Sequence, residues 1–273
     1  MPISLDFKDR VILVCGSAKG GIGGATARGL AAADAIVVGV DKTQELIDAT
    51  AASIQQLGGR FHGIVADLMD TKQADPIIGS VVGQFGRLDG VVNVAGGTRD
   101  DEWMPMEDTP TSAFRDTLNL NLEYVFRICR DAARSMIDRD APAPMVNVTS
   151  VSALAAAPMH GPYGAAKSGI AALTRTMAFE WARYGIRANS VAPGAVPTER
   201  VMSRPRVELP KDQPAVPPDV VITTPEELAN AIIFLLSDLA SGISGQNLVV
   251  DSALSTRFCA GMRRMDARKP HMA

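Results

Sequence analysis

Short apolar runs recur along the chain and alternate with longer stretches whose apolar residues return at helical spacing. The runs Val11–Cys15, Ile36–Val40, His62–Ala66, Gly90–Val94, Met145–Val148, Arg187–Val191 and Asn247–Val250 have the length of buried strands. Between them Gly24–Ala33, Thr43–Leu57, Thr71–Phe85, Thr111–Asp138, Tyr163–Tyr184 and Pro225–Ser237 read as helices. Parallel strands need a long crossover, and a helix supplies it, so this alternation predicts an α/β fold with a parallel sheet. The last helix carries the clearest start signal: Thr224 as N-cap, Pro225 at the first helical position and Glu227 at the third. No repeat and no linker divides the chain, which predicts one domain over residues 1–256.

Composition narrows this picture. Of 273 residues 47% are hydrophobic but only 5% aromatic, so the core is built of Ala, Val, Ile and Leu. A net charge of −3 without a basic stripe argues against a nucleic-acid partner. Cys15, Cys129 and Cys259 are widely spaced, show no metal-ligand spacing and are odd in number. Reduced thiols, and hence a cytoplasmic location, are expected. The N-terminal MPISLDFKDR lacks an apolar signal segment, and no apolar run is long enough to span a membrane.

Candidate chemistry gathers around Ser150, Tyr163 and Lys167. Tyr163 and Lys167 stand four apart on a predicted helix and share a face. An ammonium beside a phenol favours the phenolate, which brings a group that titrates near 10 toward use as a general acid/base. Ser150 follows the strand Met145–Val148, where its hydroxyl can bond a carbonyl oxygen. A second signal lies in the first strand-to-helix turn, Cys15-Gly16-Ser17-Ala18-Lys19-Gly20-Gly21-Ile22-Gly23. Glycines there admit a pyrophosphate to the backbone, and the following helix offers free N–H groups. Asp41 ends the second strand. A carboxylate there accepts bonds from ribose hydroxyls and repels a 2′-phosphate, favouring NAD over NADP; Lys19 and Lys42 are the opposing signal.

Ser150, Tyr163 and Lys167 resemble the catalytic set of the short-chain dehydrogenase/reductase family, and the resemblance runs over residues 7–252. It implies a single Rossmann-like, doubly wound domain: a seven-stranded parallel sheet with helices on both faces. It also implies an oxidoreductase that moves a hydride between NAD(H) and a small-molecule secondary alcohol or ketone. By resemblance, Gly16, Ser17, Gly21, Ile22 and Gly23 hold the dinucleotide phosphates. The turn departs from the family's Thr-Gly-x-x-x-Gly-x-Gly twice: Cys15 replaces the threonine, and one residue is inserted. Asp67-Leu68 looks like the adenine-contacting pair, with a helix-capping Asp67 as the plain alternative. Asn93-Val94-Ala95-Gly96 is similar to the family's Asn-Asn-Ala-Gly, bringing Asn93, Ala95 and Gly96 to the cofactor. Asn121, rather than Asn119, precedes Leu-x-x-x-Phe as the family's proton-relay asparagine does. Pro193-Gly194 would face the nicotinamide, with the Val196 amide on its carboxamide and Thr198 on the carboxamide or the phosphates.

Residues 199–222 stand where the family carries a substrate lid. Arg200, Arg204 and Arg206 could meet an anionic substrate or form a solvated cluster. Trp103, Met104 and Met106 could line a pocket or cover the sheet edge. With Leu154, Met159, His160 and Met202, Trp103 suggests a mainly apolar pocket and an apolar or cyclic alcohol. The predicted helix Tyr163–Tyr184 carries Ala165, Ala166, Gly169, Ala171 and Ala172, and the resemblance implies a homotetramer. Residues 257–273 form a C-terminal extension, either a tail or a strap. Two other readings remain: an NADP-dependent carbonyl reductase, and a dinucleotide-binding regulator without turnover.

Overall fold

All seven apolar runs are strands of one sheet. The computed structural model describes residues 5–99, 103–203 and 222–256. The strands are β1 (Val11–Cys15), β2 (Ile36–Asp41), β3 (Arg60–Val65), β4 (Gly90–Asn93), β5 (Met145–Val148), β6 (Ala188–Pro193) and β7 (Asn247–Val250). They pair in parallel in the order β3-β2-β1-β4-β5-β6-β7. The chain therefore winds outward from β1 in one direction, then returns to its other side at β4. Crossovers leave β1 and β4 toward opposite faces, which opens a crevice beyond their carboxyl ends.

β1 is buried along its whole length, and its side chains alternate between two cores. Val11, Leu13 and Cys15 join the core under α4 (Ile77–Phe85), α6 (Tyr124–Asp138) and α7 (Gly161–Trp181). Ile12 and Val14 join the core under α1 (Ile22–Ala32), α2 (Gln44–Gln55) and α9 (Pro225–Leu236). The doubly wound architecture follows from this two-sided burial. α9 has the capping box that its sequence predicts: Thr224 Oγ1 accepts from the Glu227 amide, and Glu227 Oε2 accepts from the Thr224 amide.

Two long predicted helices are interrupted. Thr71–Phe85 breaks into α3 (Thr71–Ala74) and α4, because Pro76 has no N–H to continue the ladder. Asp70 caps α3, accepting from the Lys72 amide at 2.9 Å. Thr111–Asp138 consists of α5 (Thr111–Leu118), a π-helical turn over Asn119–Glu123, and α6. Element ends also move. β3 begins at Arg60 rather than His62, α1 at Ile22 rather than Gly24, and α7 at Gly161 rather than Tyr163. No helix among the described residues is long and apolar enough to cross a membrane. Cys259, Arg204, Arg206 and the extension 257–273 lie outside the described residues.

Candidate active site

The end of β5 and the first turns of α7 bring Ser150, Tyr163 and Lys167 together. Ser150, two residues past β5, is extended and caps a short turn, its Oγ accepting from the Ser152 amide at 3.1 Å. Its hydroxyl also acts on the Tyr163 phenol, favouring the phenolate. Lys167, one helical turn beyond Tyr163, is only 2% exposed and donates from Nζ to the Val148 carbonyl at 2.9 Å. One strand end therefore supplies Ser150 and anchors Lys167. Nζ lies 5.6 Å from the centre of the Tyr163 ring.

Burial governs the acidity of both groups. It pushes the Tyr163 phenol above its usual range, against the Ser150 hydroxyl and the charge of Arg200, which both favour the phenolate. It pulls the Lys167 ammonium down to about 7. The expected lowering of the phenol by a neighbouring ammonium is thus reversed in the free protein. Lys167 is itself desolvated, and its Nζ is directed at the Val148 carbonyl.

The opposite wall is fastened by Asn121. Its Oδ1 accepts from the Gly97 amide at 2.8 Å, and its Nδ2 donates to the Gly97 and Thr117 carbonyls at 2.9 and 3.0 Å. The π-helical turn delivers this side chain by shifting the ladder at one point of an otherwise continuous helix. Gly96, at φ +140, must be glycine: a Cβ there would stand 2.5 Å from Asn121 Oδ1 and 3.5 Å from Lys167 Nζ. Asn119 does not reach this wall, and its buried Oδ1 has no hydrogen-bond partner.

A cradle lies across β1 and β4. Gly16 packs against the Ala95 backbone, and the Gly16 carbonyl lies where a Cβ on Gly23 would be. The Val94 and Ala95 amides both donate to the Cys15 carbonyl at 2.9 Å, so the two strand ends are joined. The inserted residue is absorbed in a turn closed by the Gly21 amide on the Ala18 carbonyl at 3.1 Å. α1 starts at Ile22 with no side-chain cap, which leaves its first-turn amides without a side-chain acceptor. Asp41 accepts from the Ala18 amide and from the Lys42 amide, each at 2.9 Å, which fixes a carboxylate beside the loop. A backbone cradle closed to side chains, uncapped amides and an anchored carboxylate fit the phosphates and ribose of a dinucleotide.

The residues expected at the cofactor also make contacts within the chain. The Ser17 side chain is fully buried beneath the loop, and its backbone bonds the Val40 carbonyl and the Thr50 hydroxyl. Asn93 is 1% exposed and donates to Asn147 Oδ1 at 2.8 Å and Cys129 Sγ at 3.3 Å. Asn147 in turn donates to Thr174 Oγ1 at 3.0 Å. This chain ties β4, β5 and α7 together under the cleft, so the Asn93 side chain serves the scaffold. Leu68 is a core residue whose carbonyl accepts from Arg127. Asp67 caps no helix; it closes a local turn with the Met69 amide. Pro193 ends β6, and Gly194 lies against Asp251. The Val196 carbonyl accepts from the Thr198 amide, and Thr198 Oγ1 caps α8 (Glu199–Met202).

Beside Tyr163 a narrow surface hollow is lined by Thr98, Thr109, Ala113, Thr117, His160, Pro162 and Tyr163. Its threonines escaped sequence reasoning, because isolated threonines in a loop and a helix carry no signal. Their hydroxyls are engaged by Trp103, the Pro105 carbonyl and the Ala113 carbonyl, so the lining stays mainly apolar. Trp103 belongs to its frame, since its indole donates to Thr98 Oγ1 at 3.0 Å and its ring lies 4.3 Å from His160. His160 continues to Tyr163 at 5.7 Å between ring centres. Met104 donates to the Met159 carbonyl, and Met106 packs on Gly161. Leu154, Met159 and Met202 are exposed at the surface.

Comparison with known proteins decides the family. The family model described as enoyl-(acyl carrier protein) reductase matches residues 16–255. D-threitol dehydrogenase of Mycolicibacterium smegmatis is 31% identical, with 94% of this chain and 98% of the relative covered. The chain belongs to the short-chain dehydrogenases/reductases. A hexahydroindene-carboxyl-CoA reductase of Mycobacterium tuberculosis is 36% identical, over 88% of this chain and 91% of that protein. Among solved structures, a 7α-hydroxysteroid dehydrogenase complexed with NADH and 7-oxo glycochenodeoxycholic acid superposes with a TM-score of 0.80 at 28% identity. It covers 91% of this chain and 95% of its own. Short-chain dehydrogenases/reductases are oxidoreductases that bind NAD(P).

Proposed function

We propose that the chain is an NAD-dependent dehydrogenase/reductase acting on a secondary alcohol or ketone with an apolar or cyclic body. The observation that carries this reading is the convergence of Ser150, Tyr163 and Lys167 at one strand end, across from the Gly96–Gly97 wall. In reduction, Ser150 and Tyr163 both hydrogen-bond the carbonyl oxygen, and Tyr163 gives it a proton. Burial keeps the phenol protonated in the free protein, as that direction needs. In oxidation, the Tyr163 phenolate, the form that the Arg200 charge favours, takes the hydroxyl proton. When bound, the nicotinamide supplies or accepts the hydride. Asn121 keeps the wall in place through three hydrogen bonds.

Asp41 supports NAD over NADP: its carboxylate is held by two amides beside the glycine-rich loop, and a negative charge there would repel a 2′-phosphate. Comparing kcat/KM for the two cofactors tests the choice, and a preference for NADP would overturn it. Turnover of a panel of cyclic secondary alcohols, lost in Tyr163→Phe while NADH still binds, tests the chemistry.

A homotetramer completes the reading. Phe126 on α6 and Phe179 on α7 are exposed, Phe179 to 87%, as are Leu248 and Val249 on the edge strand β7. Apolar surface on two helices and on one sheet edge suits two different two-fold interfaces. Light scattering tests this, and a mass near the 28.8 kDa of one chain would exclude it.

A further inference from the structure

One cation at the mouth of the site does not bind the substrate in the chemistry above. Arg200, in α8, donates from Nη1 to the Gly96 carbonyl at 3.2 Å and from Nη2 to the Thr98 carbonyl at 2.9 Å. Its guanidinium also lies 3.2 Å from the point a Cβ on Gly97 would occupy. These contacts place it on the same short segment that Asn121 fastens from behind, and Thr98 also lines the hollow beside Tyr163.

Both accepting atoms are neutral carbonyls, so they hold the guanidinium without cancelling its charge. Among the described residues no carboxylate lies within salt-bridge distance of Arg200. Glu199, its neighbour, turns the other way and packs against Gly20, while Arg99 pairs with Asp116 at 3.6 Å. The charge reaches Tyr163, where it favours the phenolate. A guanidinium has five donors in a rigid fork, and two are engaged here. The remaining donors belong to a group already fixed in place, so little rotamer freedom is lost when they bind.

We propose that Arg200 is a specificity residue that binds an oxyanion, carboxylate or phosphate, carried by the substrate. The inference rests on the dehydrogenase reading and narrows its substrate to a ketone or alcohol with an apolar body and an anionic end. The dinucleotide's own phosphates are the other source of an oxyanion, and the test separates the two.

Two matched pairs serve as probes: 4-oxopentanoate against its methyl ester, and acetoacetyl-coenzyme A against acetoacetyl-N-acetylcysteamine. Wild type should prefer the anionic member of at least one pair. Arg200→Gln should collapse that preference in kcat/KM by about tenfold to a hundredfold, the scale of a charge-assisted contact, and Arg200→Lys should restore part of it. Equal losses for both members of each pair would overturn the proposal. So would a loss of NADH affinity that accounts for the whole effect, since the oxyanion would then be the cofactor's. Where no ketone is turned over, displacement is read on the enzyme–NADH complex by NADH fluorescence. Tighter binding of the anionic probe that Arg200→Gln abolishes would support the oxyanion site even with the dehydrogenase reading lost. Absence of any preference would overturn it.

Discussion

Lys167 is the buried group whose charge the fold handles least comfortably, and this has a measurable signature. Its ammonium falls from a usual 10.5 to about 7 because burial strips its water, and its one hydrogen bond goes to the neutral Val148 carbonyl. Below about pH 7 the lysine is charged in folded and unfolded chains alike, and the folded state bears the full desolvation cost. Between about pH 7 and 10.5 only the unfolded chain keeps the proton. The unfolded state then binds more protons, so stability rises with pH through this window. The whole shift corresponds to a few kcal/mol, at about 1.4 kcal/mol per pH unit. Lys167→Met removes the titration and nearly keeps the volume. Urea unfolding of the free protein, at matched concentration because assembly adds its own stability, gives a curve for each chain. Their difference should move in favour of wild type by about 3 kcal/mol between pH 7 and 9.5. Tyr163, raised above its usual range, stays out of that window. Parallel curves would mean that Lys167 is solvated, and the account of its burial would be wrong.

Three other substitutions test separate parts of the structure. Gly23→Ala puts a methyl group on the Gly16 carbonyl, so NADH affinity should fall by at least tenfold; retained affinity in a fluorescence titration would remove the loop from the cradle. Asp41→Ala should narrow the ratio of kcat/KM for NAD over NADP, and an unchanged ratio would show that its carboxylate does not face the ribose. Asn121→Ala breaks three hydrogen bonds and leaves the Gly97 amide and carbonyl without their partner, so stability should fall by about 2–3 kcal/mol and kcat with it. A variant as stable and as active as wild type would show that the wall holds without it.

The sheet was legible because burial on both faces forces continuous apolar runs. β1, VILVC, could hardly be anything else. β3 was placed two residues late because it is the edge strand, with exposed positions that break the run. The π-helical turn left no mark on the pattern, since inserting one residue displaces the apolar stripe by less than the stripe's own width. Ser150, Tyr163 and Lys167 could be found by spacing, because one helix and one strand end fix them. The direction of the Asn93 side chain was not legible: an asparagine at a strand end can turn up to a ligand or down to a polar partner. Here Asn147 and Cys129 lie below it. Arg200 could be noticed as a charge, but only the tertiary packing of α8 on Gly96 and Thr98 gives it a place. The acidity of Tyr163 was read with the wrong sign because sequence shows neighbours and hides desolvation.

The strand order also dictates a timetable for synthesis. β1 and β2 emerge close together and can pair at once, and β3 extends them on the far side. The other edge of β1 then stays open until Gly90–Asn93 has left the ribosome, with two helical crossovers made in the meantime. Such an edge, apolar along its full length, is a template for pairing with another nascent chain. Once β4 is in place the risk changes character. β5, β6 and β7 arrive in the order in which they are laid down, each covering the edge left by the strand before it. The vulnerable interval thus falls in the first third of translation, before any of the proton-handling residues exists.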